Sequence, residues 1–188
     1  MNGKTERLKL SEKIHPIDPF RPRADLIRQA ADRILRGGVV VFPTTGLYGL
    51  GADAMNAQAV SKIFSMKGRS EAKPILVLIS GMDMLDLLVR CVPPEARKIM
   101  DAFWPGGVTI VLEAAPGLPA NLTAGTGKIG VRVPAHPVAA ALVRAAGIPI
   151  TGTSANISGT GGCSRVAEID SALAERVDMI LNAGPLKG

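Results

Sequence analysis

Aromatic side chains are scarce in this sequence: four Phe, one Tyr and one Trp make up 3% of its 188 residues. So few rings exclude a row of aromatics on which successive bases of single-stranded nucleic acid could stack, and they leave the core to Ala, Val, Ile, Leu and Met. Histidine is just as rare. With only His15 and His136 available, a histidine-rich metal site lacks ligands, and a serine triad would depend on a chance meeting with one of two rings. The cysteines, Cys91 and Cys163, stand far apart without CxxC spacing, so neither a disulfide framework nor a cysteine zinc site follows. Both read as reduced thiols of a cytoplasmic protein. No apolar run approaches the ~20 residues of a membrane-spanning helix. Residues 1–23 are polar and basic, without the apolar stretch of a secretory signal, and read as a tail or an edge segment. Acidic residues are outnumbered, 16 against 22 Lys and Arg, for a net charge of +6. That balance favours a phosphate-bearing ligand or a nucleic-acid partner; a merely basic, solvated surface is the competing reading.

What is present is 47% hydrophobic residues with 21 Gly and 14 Pro, the makeup of a globular chain with many tight connections. Ile27, Ala30, Ala31, Ile34 and Leu35 recur at helical spacing between Ala24 and Arg36, and Gly37-Gly38 stops that helix. Val39 to Phe42 is a continuous apolar run closed by Pro43, the pattern of a strand buried on both faces. A glycine-rich loop is expected after it. Asn56 suits the N-cap of a second helix, with Val60, Ile63 and Phe64 as its stripe, fading at Lys67-Gly68-Arg69. Further strands are expected at Pro74–Ile79, Val108–Leu112, Ile129–Val133, Ile148–Thr151 and Met179–Leu181. Helices are expected at Met82–Val89, Pro94–Phe103, Pro137–Ala146 and Val166–Arg176. The alternation makes the fold α/β, one domain over residues 24–188.

Three short motifs resemble known sites and fail on their spacing. Gly46 to Gly51 reads GxxGxG, where a dinucleotide fingerprint needs GxGxxG. Gly125-Thr126-Gly127-Lys128 has Leu122 where a phosphate loop needs its first glycine, and Ile129 where Ser or Thr must meet the metal. Gly152-Thr153-Ser154-Ala155 lacks the last glycine of a nucleophile elbow. Two polar pairs are better candidates. Lys67 with Arg69, and Ser154 with Asn156, are each two apart in stretches that look too rich in turn formers for helix, so each pair is expected to point one way. Two cations aimed at one place suit a triphosphate or a carboxylate; on spacing alone a charged helix C-terminus favoured by the macrodipole is the stronger reading. Ser154 and Asn156 follow a buried strand, where open α/β sheets bind ligands, though ordinary turn chemistry also explains them. If all four converge, the sheet must be mixed, because Lys67 and Arg69 precede a strand that Ser154 and Asn156 do not.

The segments PTTGLYGLGADA (Pro43 to Ala54), KGRSEAKPILVLI (Lys67 to Ile79), FWPGGVTIVL (Phe103 to Leu112), GVRVPAHPVA (Gly130 to Ala139) and TSANISG (Thr153 to Gly159) occur in this order. Together they closely resemble the YrdC-like family, whose KxR and SxN pairs they reproduce. The resemblance implies a twisted mixed sheet flanked by helices around a basic cleft. It also implies an L-threonylcarbamoyladenylate synthase, which joins L-threonine, bicarbonate and ATP with Mg²⁺, releases pyrophosphate, and hands its product to tRNA-modification proteins that make threonylcarbamoyladenosine. By the same resemblance Lys67 and Arg69 grip ATP and the carboxylated amino acid as the catalytic pair. Ser154 and Asn156 hold the adenylate, Arg132 adds to that set and Thr44 touches threonine; no protein-ligated metal is implied. Both members of the KxR pair are expected in a polar loop, where substitution lowers activity and leaves stability nearly unchanged. His136 is expected to cap or pack rather than act as a base.

The sequence departs from the family pattern in three places. Gly46 stands where many relatives of the longer, two-domain type have Ser or Thr, and Leu78 where they have His, so the amino-acid pocket is expected to differ. The family pattern continues beyond a segment like Gly184-Pro185 into a STxxD-type stretch, whereas this sequence ends at Gly188, and the domain is expected to lack that stretch. The rival functions are a module binding double-stranded RNA or tRNA without full catalysis, and a carbamoyl-transfer relative of the kind found in hydrogenase maturation.

Overall fold

The computed structural model describes residues 10–188; the reading of residues 1–9 as tail or edge lies outside the described residues. The elements run β1 (Ile14–Pro16), α1 (Ala24–Leu35), β2 (Val40–Pro43), β3 (Tyr48–Gly51), α2 (Ala57–Lys67), β4 (Val77–Leu78), α3 (Met82–Leu85), α4 (Pro94–Phe103) and β5 (Ile110–Glu113). Then come α5 (Ala120–Thr123), β6 (Lys128–Arg132), α6 (Pro137–Ala146), β7 (Ile150–Thr151), β8 (Thr153–Ser154), a 3-10 turn (Val166–Glu168), α7 (Ser171–Arg176) and β9 (Met179–Asn182).

The strands form two mixed sheets. The first has the order β1-β9-β2-β3-β8, parallel from β1 through β9 to β2 and antiparallel from β2 through β3 to β8. The second has the order β5-β6-β4-β7, in which β4 and β6 are parallel and the outer pairs antiparallel. Strand β2 separates two cores, because alternate side chains of a strand leave opposite faces. Val40 and Phe42 join α1 (Ile27, Ile34) and α6 (Val138, Leu142) on one side; Val39 and Val41 join α2 (Val60, Ile63) and the second sheet (Val77, Ile129) on the other. This is the strand buried on both faces that the apolar run predicted.

The chain passes from the second sheet to the first at Gly152, between β7 and β8. Thr151 stitches the junction: its Oγ1 donates to Leu50 O at 3.1 Å and accepts from Ala52 N at 3.0 Å. Only glycine fits there, because a Cβ on residue 152 would stand 2.7 Å from Leu78 Cγ.

Three local expectations are corrected. The glycine-rich stretch after Pro43 is a hairpin, not a loop throughout: β3 pairs back on β2 with Pro43 opposite Tyr48 and Val40 opposite Gly51. The expected helix over Val166–Arg176 is broken into the 3-10 turn and α7, because Asp170 starts a new helix by accepting from Ala172 N (2.9 Å) and Leu173 N (3.3 Å). Lys67 is not in an extended or loop segment but is the last residue of α2, which ends at Gly68 in the left-handed conformation (φ 56°).

Candidate functional site

Helix α2 begins at Asn56, whose side chain accepts from Gln58 N and Ala59 N, and delivers Lys67 to the interior at its other end. Lys67 is 1% exposed. Its Nζ donates to Ser154 O, to Asn156 O at 2.7 Å and to Asn156 Oδ1 at 3.2 Å, so all three ammonium hydrogens go to the turn that follows β8. That turn is braced further. Ser154 Oγ donates to Asn156 Oδ1, and Asn156 Nδ2 donates to Ile157 O (2.9 Å) and Thr160 O (2.6 Å). Among the described residues the one ion pair is Arg23 with Asp25, so the Lys67 charge meets neutral oxygens alone. Burial, reinforced by the nearby Arg69 charge, pulls its pKa down from 10.5 to about 8. The expectation that Lys67 lies in a polar loop is thereby corrected.

Arg69 does not share the direction of Lys67. Beyond Gly68 it folds back over its own loop, donating from Nη2 to Pro74 O (2.8 Å) and from Nε to Lys73 O (3.3 Å). Arg132, at the end of β6, is held by Thr109, whose Oγ1 accepts from its Nε (3.0 Å) and Nη2 (2.7 Å). Partial burial lowers the pKa of both guanidinium groups, yet each stays charged.

A cavity of about 300 Å³ lies between the two sheets' ends, lined by Thr44, Gly46, Arg132 and His136 with an apolar wall of Leu76, Leu78 and Gly152. Thr44 Oγ1 donates to Leu47 O across the hairpin turn. His136 caps α6, its Nδ1 accepting from Val138 N at 3.2 Å, and burial lowers its pKa. The neutral ring therefore carries its proton on Nε2. Of the six residues singled out from the sequence, Thr44 and Arg132 line this cavity. Lys67, Ser154 and Asn156 form one hydrogen-bonded group outside its wall, with Ser154 two residues past Gly152. Arg69 reaches Pro74, two residues before Leu76. Sequence reasoning gave no role to Thr109, which reads only as a β-branched strand residue, nor to Leu76; neither has a spacing signal that could have found it.

A family profile described as telomere recombination, covering the Sua5, YciO and YrdC proteins, matches residues 32–188. The chain belongs to the Sua5/YciO/YrdC family. Among curated members of that family, the threonylcarbamoyl-AMP synthase of Bacillus subtilis is 39% identical over 160 residues, 85% of this chain and 46% of the relative. The synthase of Halorhodospira halophila is 37% identical over 163 residues, 87% of this chain and 83% of the relative. Among solved family structures, Sua5 of Pyrococcus abyssi in complex with L-threonine superposes with a TM-score of 0.87 at 34% identity, covering 92% of this chain and 51% of that one. The chain thus spans about half the length of the long Sua5-type relatives, and most of the length of the short one. The mixed α/β architecture expected from the sequence is the family's.

Proposed function

We propose that this protein is a threonylcarbamoyl-AMP synthase, a nucleotidyltransferase that uses MgATP, L-threonine and bicarbonate. The observation that carries the reading is a cavity lined by Arg132, a cation without a carboxylate partner among the described residues, in a domain whose relatives are named for that activity; Arg69 and Lys67, likewise without carboxylate partners, stand in the segments beside it. Cations held near one another without counter-ions raise each other's energy, and an anionic ligand relieves that repulsion.

In this reading bicarbonate takes up a proton and loses water to give CO₂, and the threonine amine adds to that CO₂ and gives up a proton, leaving a carbamate. A carbamate oxygen then attacks the α-phosphorus of ATP, forming the new P–O bond as the bond to the β-phosphate oxygen breaks and pyrophosphate leaves. Two anions must approach each other, so catalysis is mainly a matter of placing positive charge and fixing geometry. Arg132 and Arg69 each keep Nη1 for an incoming oxygen. Thr44 and the apolar wall at Leu76 and Leu78 suit a small amino acid with a methyl group. Lys67 holds the Ser154–Asn156 turn in the shape that receives the adenylate, and its own charge lies behind that turn. Mg²⁺ bound to the triphosphate would neutralise charge on the phosphates as the carbamate approaches. In this reading the work belongs to the cytoplasm, where ATP, bicarbonate and the acceptor proteins of tRNA modification are at hand. Pyrophosphate release from MgATP, measured with and without threonine, tests the reading. Release that requires threonine is expected; release indifferent to threonine, or none, contradicts it.

A further inference from the structure

Arg132 brings its charge to the cavity from the end of β6, and its neighbours in the sheet fix where that charge points. Strands β5 and β6 are antiparallel with Ile110 opposite Val131, so the next rung sets Thr109 opposite Arg132. Ile110 and Val131 are buried in the core, and alternate residues of a strand leave by the other face, which puts Thr109 and Arg132 side by side away from that core. On its other flank Arg132 is paired with Leu78 of β4, whose side chain offers no acceptor. Thr109 Oγ1 takes both bonds, from Nε at 3.0 Å and from Nη2 at 2.7 Å. The hydroxyl is itself held. A Cβ on Gly130 would stand 3.2 Å from Thr109 Cγ2, so the methyl lies over the glycine, and at a β-branched residue one pinned branch fixes the other. Trp104 Nε1 donates to Val108 O at 2.8 Å and Gly106 N to Val133 O at 3.0 Å, which tie down the backbone next to each member of the pair.

We propose that Thr109 is a positioning residue of this site, a neutral anchor that turns the free edge of the Arg132 guanidinium toward the phosphates of the substrate. The inference rests on the synthase reading of the cavity. Both contacts use one edge of the guanidinium, Nε with Nη2, and the group has no other protein partner among the described residues. The edge formed by Nη1 and the second Nη2 hydrogen is left, and such an edge meets two oxygens of a phosphate side by side. A carboxylate in place of the hydroxyl would hold the arginine more tightly and would cancel the charge that an anionic ligand needs. A hydroxyl holds direction and leaves the charge whole. A free arginine loses much rotamer freedom on meeting an anion, and a side chain already held at its far end has undergone that loss before the ligand arrives. Thr109 is not among the residues that line the cavity, so it acts through Arg132 and not on the ligand.

Calorimetric titration of MgATP and of magnesium tripolyphosphate into the parent, Thr109→Val, Thr109→Ser, Arg132→Met and the double variant Thr109→Val with Arg132→Met tests this. Valine keeps the branched shape over Gly130 and removes the acceptor; serine keeps the acceptor. Thr109→Val is expected to weaken both ligands by about tenfold, and Thr109→Ser to recover most of that loss. In the Arg132→Met background the valine substitution is expected to have no further effect, because the hydroxyl then has no guanidinium to aim. Parent-like affinity in Thr109→Val, a loss confined to ATP, an equal loss in Thr109→Ser, or an equal loss with and without Arg132 overturns the positioning role and leaves the synthase reading standing. A parent that binds no MgATP overturns both.

Discussion

At the residue scale the site depends on what Lys67 does with its charge. The ammonium is spent on Ser154 O, Asn156 O and Asn156 Oδ1, so Lys67→Met leaves Asn156 O at a buried turn without its donor and takes one of two donors from each of the other acceptors. A loss of about 1–3 kcal/mol of stability is expected by denaturant unfolding, together with loss of activity. The sign of its pH dependence follows from burial. Because the folded-state pKa of about 8 lies below the ordinary 10.5, the unfolded chain holds the proton more tightly between those values. The stability linked to Lys67 is therefore complete above the ordinary value and is lost as pH falls through about 8. Between pH 7 and pH 9 the parent is expected to gain about 1 kcal/mol relative to Lys67→Met, read from denaturant midpoints at the two pH values. Arg69 behaves differently. It is half-buried, and its partners, the carbonyls of the exposed residues Lys73 and Pro74, can turn to water. Arg69→Ala is expected to cut turnover by about a hundredfold while shifting stability by less than about 1 kcal/mol. A comparable loss of stability for both variants would show that Arg69 is a structural residue like Lys67.

At the scale of elements, the two sheets meet where Gly152 lies against Leu78, and the close approach can be tested by refilling the space. Gly152→Ala is expected to destabilise the protein by about 1–3 kcal/mol. Adding Leu78→Ala, which removes the atoms that the new Cβ would meet at 2.7 Å, is expected to recover part of that loss relative to the sum of the single changes, a coupling that a double-mutant cycle measures. The same region explains what was legible in the sequence. Helices α1, α2, α4 and α6 were readable because their stripes, caps and stops are local: Asn56 before α2, Pro at the start of α4 and α6, Gly after α2 and α6. Strand β3 was not, because Tyr48-Gly49-Leu50-Gly51 alternates glycine where a strand signal needs branched or aromatic residues, and its pairing with β2 and β8 is a property of the tertiary structure. Lys67 was misplaced for the opposite reason. Gly68 signals the end of a helix correctly, and the residue before it remains helical and faces inward.

At the scale of the whole molecule, two mixed sheets joined at Thr151 to Thr153 bring together segments far apart in the sequence. The hairpin turn at Thr44 and the end of β6 meet around one cavity, and the end of α2 and the turn after β8 bond to each other outside its wall. The candidate residues could be singled out by type, because paired cations and neutral turn residues after a strand are chemical signals in any order. Their arrangement was not legible, since the separate directions of Lys67 and Arg69 and the anchoring of Arg132 by Thr109 arise only when the sheets close. The central claim is that these groups join three substrates into one product. The most direct test supplies carbon-labelled bicarbonate with MgATP and threonine and asks where the label goes. The account predicts a labelled species that also contains the adenylate and threonine, formed with one pyrophosphate per label and absent when any one substrate is withheld or when Arg69 is alanine. Pyrophosphate released without incorporation of label, or label incorporated without threonine, would contradict it.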